Sequence, residues 1–461
     1  MFFIIFLNFL INNTIKITGV LNKMMNNKPR RIVIVGGGAG GLELAARLGR
    51  KLGKKKLANI TLVDQSLTHI WKPLLHEVAA GTLNSHKDEL NFLALAHNNY
   101  FTFQFGKMHG LNRGRKKIIL APVMNNNKFY IKERTLDYDN LVIAVGSKTN
   151  SFGVKGVEEF CMYIDSREEA DEFHKKLIQN AIKAHSQDNT EPFNIAIAGA
   201  GATGVELSAE LHEALDQFVK YGLYNAALRK NIRIYIIEAA DRILPALPPR
   251  LSEITINALH KIQVKTIINN RIIEANSDGF ITDKSGLIQA DIRIWAAGIK
   301  APDFLKDIDG LETNSINQLI VSNRLQTTQD ESIFAIGDCA ACYLGDTDNT
   351  VPPRAQAAHQ QAATLIKSFD NLLQDKPVVE YHYTDYGSLV NLSRYTTVGN
   401  IMGNLLGRKP GSIMFEGVIA RIIYKMLYKT HLVLIQGFFQ VCLDTIINII
   451  NRKTKPRIKL H

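Results

Sequence analysis

The chain has 461 residues, 46% apolar and 21% charged, enough for two or three domains with full cores. Its four cysteines (Cys161, Cys339, Cys342, Cys442) exclude a disulfide scaffold and fit a reducing compartment. The net charge of +12 calls for an anionic partner, nucleic acid or a membrane surface, and the placement of the cations decides between them.

The N-terminus is apolar through Ile11 and then turns polar. It is shorter than the roughly 20 apolar residues of a spanning helix, and no basic residues precede it as in a signal peptide. Residues 1–29 read as a poorly structured extension, with Met24 or Met25 as an alternative start; an extra membrane anchor is the other reading. "RRIVIVGGGAGG" then gives a short apolar strand running into Gly36-x-Gly38-x-x-Gly41 and a helical pattern. A second strand, "NITLVD", ends at Asp64. This is the βαβ setting of a dinucleotide fingerprint. Gly36 permits the tight turn, Gly38 lets a pyrophosphate approach the backbone, and Gly41 lets the helix pack on the strand. The helix N-terminus offers N–H groups to phosphate, and Asp64 accepts from ribose hydroxyls.

"FNIAIAGAGATG" repeats the grammar at Gly199-x-Gly201-x-x-Gly204, and "NIRIYIIE" ends at Glu238. A strand-end acid accepts a ribose 2′-hydroxyl and repels a 2′-phosphate, so NADH is expected over NADPH. Nearby Arg242 argues the other way. Two such units imply one tightly held, non-covalent FAD and one exchangeable NADH.

"LVIAVGSKTN" and "IRIWAAGIKAP" look like the crossover strands between units, ending at Gly146 and Gly298. "ESIFAIGDCA" ends in Gly337-Asp338, which resembles the return of two-dinucleotide flavoproteins to their FAD domain. There the Asp contacts the ribityl chain. The expected fold is α/β: two Rossmann-like dinucleotide-binding domains in a two-dinucleotide-binding flavoprotein, plus a C-terminal amphipathic helical membrane-binding region. The expected bounds are 30–155 and 300–385 for FAD, 156–299 for NADH, and 386–461 for membrane association.

Disulfide reductases of this architecture carry a cysteine pair after the first helix; Leu57 to Gly81 contains none. Cys339-x-x-Cys342 follows the Gly-Asp turn, and "HEVAA" and "HEALD" lack the second histidine of a zincin, so no metal site is read. Instead "LTHIWKPLLHEVAAGTL", "VPPRAQAAHQQA", "YGSLVNLSRYTTVG" and the terminal "KPRIKLH" resemble the type II NADH:quinone oxidoreductases, nearest the enterobacterial type, over Arg30 to His461. The resemblance implies FAD, NADH as donor, a membrane quinone as acceptor and no proton pumping. It places the quinone beside Gln356 and Gln360 and puts Glu206 near the nicotinamide and the quinone proton route. His359 reads equally as a quinol proton donor or an exposed histidine. A sulfide:quinone oxidoreductase is the alternative, but it needs cysteines at the flavin. A redox-signalling flavoprotein that binds NADH is the other.

From Ser412 the composition shifts to apolar and basic. Ile419, Ile422, Ile423, Met426 and Leu427 keep helical spacing beside Arg421, Lys425 and Lys429. Ile435, Phe438, Phe439, Cys442, Ile446, Ile449 and Ile450 continue the pattern, and Arg452, Lys453, Lys455, Arg457 and Lys459 follow. Such helices lie in an anionic lipid surface, which assigns the charge to lipid and leaves no nucleic acid partner. The expected location is the cytoplasmic face of the bacterial inner membrane, as a monotopic protein. The oligomeric state stays open, a homodimer included.

Overall fold

Ile32, Val33, Ile34 and Val35 are all buried, and a strand apolar on both faces belongs inside a parallel sheet. The computed structural model places it there and describes residues 28–84, 89–125, 128–186, 192–222, 226–345, 349–402 and 412–451. The apolar N-terminal run and the five terminal cations lie outside the described residues.

β1 (Arg30–Val35) leads into α1 (Ala39–Leu48) and β2 (Ala58–Asp64). The short α2 (Leu75–Ala80) and β3 (Thr102–Phe105) follow, then β4 (Asn140–Ile143) on the other side of β1. The sheet has eight strands; β4, β1, β2 and β3 form one end. Its other half comes from much later in the chain. Asp330–Ala335 pairs in parallel with β4, Ile333 opposite Leu141. Gln326–Thr327, Leu319–Val321 and Ala340–Cys342 continue outward.

The second sheet is parallel and four-stranded. β5 (Phe193–Ala198) enters α3 (Ala202–Lys220), and β6 (Ile232–Ile237), β7 (Val264–Ile267) and β8 (Ile292–Trp295) complete the order β7-β6-β5-β8. β5 lies between β6 and β8 as β1 lies between β2 and β4, so the glycine repeat is a repeat of topology too. Each unit carries a three-stranded antiparallel sheet, Met108–Asn112 with Lys117–Leu120 and Arg134–Asp137, and Ile272–Asn276 with Gly279–Thr282 and Gly286–Gln289. The chain passes between the sheets after Gly146 and Gly298, both at positive φ, where Lys148–Thr149 pairs with Ile299–Lys300.

α4 (Ala355–Leu372) packs so closely on α1 that a Cβ at Gly40 would sit 3.2 Å from the Ala358 side chain and carbonyl. β9 (Gly387–Leu392), β10 (Thr396–Met402) and β11 (Ser412–Glu416) form an antiparallel sheet. α5 (Gly417–Gln436) and α6 (Phe438–Asn451) follow, separated by Gly437 at φ +93°. α5 buries Ala420, Tyr424, His431, Leu432 and Ile435, while Val418, Ile419, Ile422, Met426 and Leu427 are exposed. Phe438 and Phe439 continue the exposed row, Phe439 at 88%. Two details depart from the expected stripe. Ile435 joins the core, because it lies one turn beyond His431 on the inward face. Arg421 turns inward and donates to Ser393 O, so it is not part of an outward basic row. Among the described residues no helix is long and apolar enough to cross a membrane.

Arg50, just after α1, fixes the far end of α5. Its guanidinium donates to Leu434 O at 2.5 Å and Ile435 O at 3.1 Å, and also to the Asn99 side chain. These carbonyls have no partner within the helix, and a cation there also meets the negative end of the dipole. Arg50→Met should cost about 2 kcal/mol, the scale of hydrogen bonds to a charged group. Urea unfolding measures it, and proteolysis should then cut first within the C-terminal helices.

Candidate active site

The two glycine turns have the same geometry. Gly36 and Gly199 have φ of +104° and +97°, and a Cβ at either would run into the backbone of the neighbouring strand's end, at Ala144 O (2.3 Å) or Ala297 Cα (2.8 Å). Cβ atoms at Gly41 and Gly204 would lie 2.0 and 2.1 Å from Gly36 O and Gly199 O. At Gly38 and Gly201 a Cβ meets nothing within 4 Å. These two residues cap α1 and α3 without any side-chain cap. Space in front of an uncapped helix N-terminus, with tight packing behind it, fits a pyrophosphate. Asp64 and Glu238 take matching places: Asp64 accepts from Gly37 N at 2.6 Å, and Glu238 from Ala200 N at 2.7 Å. Burial raises the Asp64 carboxyl against these bonds. Arg242 donates to Pro245 O.

Gly337-Asp338 returns beside the first turn. Gly337, at φ +73°, donates its N–H to Gln361 Oε1 at 2.7 Å, and Ser147 Oγ donates to Asp338 Oδ2 at 2.8 Å. Lys72 Nζ reaches Ser147 O at 2.8 Å. The crossover after β4, the Gly-Asp turn and α4 thus meet next to α1. Cys339 and Cys342 are buried and free, and their thiols face different backbone carbonyls. Burial pushes them up to about 12 and about 11, so both are poor nucleophiles.

On α4 the two glutamine amides are already engaged. Gln360 Nε2 donates to Thr384 O at 2.7 Å and its Oε1 accepts from Thr384 N at 3.0 Å. Gln356 Nε2 lies 3.2 Å from Tyr383 Oη, Asp385 Oδ1 and Gly387 O, and its Oε1 accepts from Tyr386 N. Both hold the segment 383–387 against the helix. His359, on the same helix, has Nδ1 2.6 Å from Glu43 Oε2. Glu43 is fully buried and also binds Arg47 at 2.6 Å. Sequence reasoning missed Glu43, although its position after Gly41 matches that of Glu206 after Gly204.

Glu206 is buried on α3. Its Oε1 accepts from Asn391 N at 2.8 Å, and its Oε2 lies 3.8 Å from His76 Nδ1. Burial pushes its carboxyl up to about 8, with Glu77 and Glu210 adding repulsion, so it is protonated at neutral pH. Burial holds His76 down to about 4, neutral. Tyr424, from α5, packs in the same region with a buried hydroxyl that has no partner among the described residues.

A second buried contact joins α5 to the first turn. His69 Nδ1 donates to Gly37 O at 2.8 Å, and its Nε2 accepts from His431 Nε2 at 3.1 Å. Trp71 stacks on Tyr428 and His431. Burial holds the two histidines down to about 4 and about 3.

The chain matches the pyridine nucleotide-disulphide oxidoreductase family over residues 30–362. It is 42% identical over 448 residues to a type II NADH:quinone oxidoreductase of Haemophilus influenzae, covering 94% of this chain and all of that one. A type II NADH:quinone oxidoreductase of Staphylococcus haemolyticus is 26% identical over 403 residues, covering 86% of this chain and 96% of that one. Among solved structures, NDH2 from Plasmodium falciparum in complex with NADH superposes with a TM-score of 0.78 at 20% identity, covering 94% and 100% of the two chains. The sulfide:quinone oxidoreductase of Aquifex aeolicus gives 0.71 at 18%, covering 93% and 96%. At such identities these two speak for the fold.

A carboxyl raised in the fold makes it bind more protons than the unfolded chain, so stability is full below the ordinary value of 4.5 and is lost as pH rises through about 8. Glu206→Gln should flatten that part of the stability curve, with a gain over wild type that grows from pH 4.5 and levels off above about 8. Urea midpoints from pH 4.5 to 9 check it; parallel curves would show that Glu206 titrates normally.

Proposed function

Because the chain belongs to the type II NADH:quinone oxidoreductases, we infer that it oxidises NADH through FAD and delivers the electrons to a membrane quinone without pumping protons. The observation that carries the site is the doubled glycine turn, open at Gly38 and Gly201 and closed at Gly41 and Gly204. FAD, when bound, accepts hydride from the nicotinamide and returns two electrons to the quinone. The N-terminus of α1 and Asp64 would hold its pyrophosphate and ribose, with Gly337 and Asp338 at the ribityl chain. α3 and Glu238 would hold NADH in the same way. Residues 30–155 with 300–385 form the FAD unit and 156–299 the NADH unit in this reading, which the membership of the two sheets supports. The FAD is held tightly and without a covalent bond.

Gln356 and Gln360 build the quinone wall by pinning 383–387. Direct bonding to a quinone carbonyl draws its support from the family pattern, since both amides are paired. Glu206, protonated and buried, is a proton donor within the NADH unit. The sulfide:quinone alternative lacks support: Cys339 and Cys342 are buried, and burial raises their thiols and that of Cys161.

Residues 386–461 carry the attachment to lipid in this reading. The exposed row from Val418 to Phe439 would enter the surface of an anionic bilayer on the cytoplasmic side, and the terminal cations, outside the described residues, would add attraction.

The purified protein should show a flavin spectrum that NADH bleaches without oxygen and a soluble quinone restores; no bleaching, or no recovery, would sink the assignment. Membrane attachment has its own check. The double change Ile422→Glu and Met426→Glu should lower co-sedimentation with anionic vesicles tenfold or more, given about 1.5–3 kcal/mol for burying each apolar side chain. Unchanged binding would move the attachment elsewhere in the chain.

A further inference from the structure

His76 and Glu77 lie on α2, and Glu210 lies on α3, far apart in sequence. One ring nitrogen and one oxygen from each carboxylate lie within 4.8 Å of one another. His76 and Glu210 are buried, while Glu77 is half-buried and opens the cluster to solvent. Two further observations point to a ligand. His76 Nε2 is buried and has no partner among the described residues, although the ring's other nitrogen lies 3.8 Å from Glu206 Oε2. The Tyr424 hydroxyl is buried in the field of Glu206, Glu77 and Glu210, with no partner among the described residues. A buried donor or acceptor without a partner costs about 1–3 kcal/mol and calls for an explanation.

We propose that His76, Glu77 and Glu210 form a divalent cation site suited to zinc, at the junction of α2, α3 and α5. One imidazole nitrogen and two carboxylate oxygens, with water in the fourth position, match the donor set of a tetrahedral zinc. The groups around the ligands suit the task. The carboxyl of Glu206 lies 3.8 Å from His76 Nδ1, behind the ligand ring. Thr82 Oγ1 donates to Glu210 Oε2 at 2.7 Å and fixes that carboxylate. Arg421 also acts on Glu210. A divalent cation would tie the helix of the NADH unit to the element before the crossover.

The test uses untagged, full-length, FAD-loaded protein, stripped with chelator and titrated with zinc chloride by calorimetry. One zinc should bind per chain. His76→Gln and Glu210→Gln should each weaken it at least tenfold, and Thr82→Val by about tenfold, the scale for groups behind the ligands. Flavin content and circular dichroism report whether each variant is folded. Should a variant fail to fold, the zinc K-edge spectrum of the wild type decides: one imidazole with oxygen neighbours supports the site. Sulfur neighbours, several imidazoles, equal affinity in folded His76→Gln and Glu210→Gln, or no binding would overturn it.

Discussion

The approach of a helix to the strand that feeds it governs this molecule. At Gly41 and Gly204 the helix backbone comes so near a carbonyl that a single methyl group would lie about 2 Å from oxygen. That contact sets the angle at which α1 and α3 leave their strands. It therefore sets where each helix N-terminus points, and with it the line along which phosphates can approach. Asp64 and Glu238 hold the second residue of each turn from the far side. The parallel strands around β1 and β5 present that corner, and α4 reads the first corner again through the close contact at Gly40.

The second theme is buried carboxylates. Glu43 and Glu206 occupy the same place in the two repeats, and both face a histidine. Their surroundings separate them. Glu43 has Arg47 one turn on and His359 at 2.6 Å. Glu206 has a backbone N–H and two other carboxylates nearby, so burial wins and the proton stays. One sequence motif thus meets two different surroundings, decided by what packs against each copy.

α5 belongs to both the core and the surface. His431, Ile435 and the carbonyls held by Arg50 seat it on the first unit, and its opposite side is a row of exposed apolar side chains. Through His69 the same helix touches the carbonyl of Gly37. Anything that holds the outer face is therefore two side chains from the first glycine turn.

The sequence by itself determined the local chemistry. Glycines at fixed spacing after apolar strands, with acids ending the next strands, leave one backbone geometry, because positive φ and close carbonyl contact admit no side chain. The periodicity after Gly417 marked an amphipathic helix for the same local reason. Only the tertiary structure decided what long-range packing controls. It took Ile435 and Arg421 out of the outer row, since the seat of a helix depends on its neighbours. It spent the amides of Gln356 and Gln360 on the backbone of 383–387. It gave Glu43 its histidine from a helix more than three hundred residues away, and it gathered His76, Glu77 and Glu210. No spacing rule reports these contacts, because pairs so distant in sequence meet only when two sheets and the helices between them have closed.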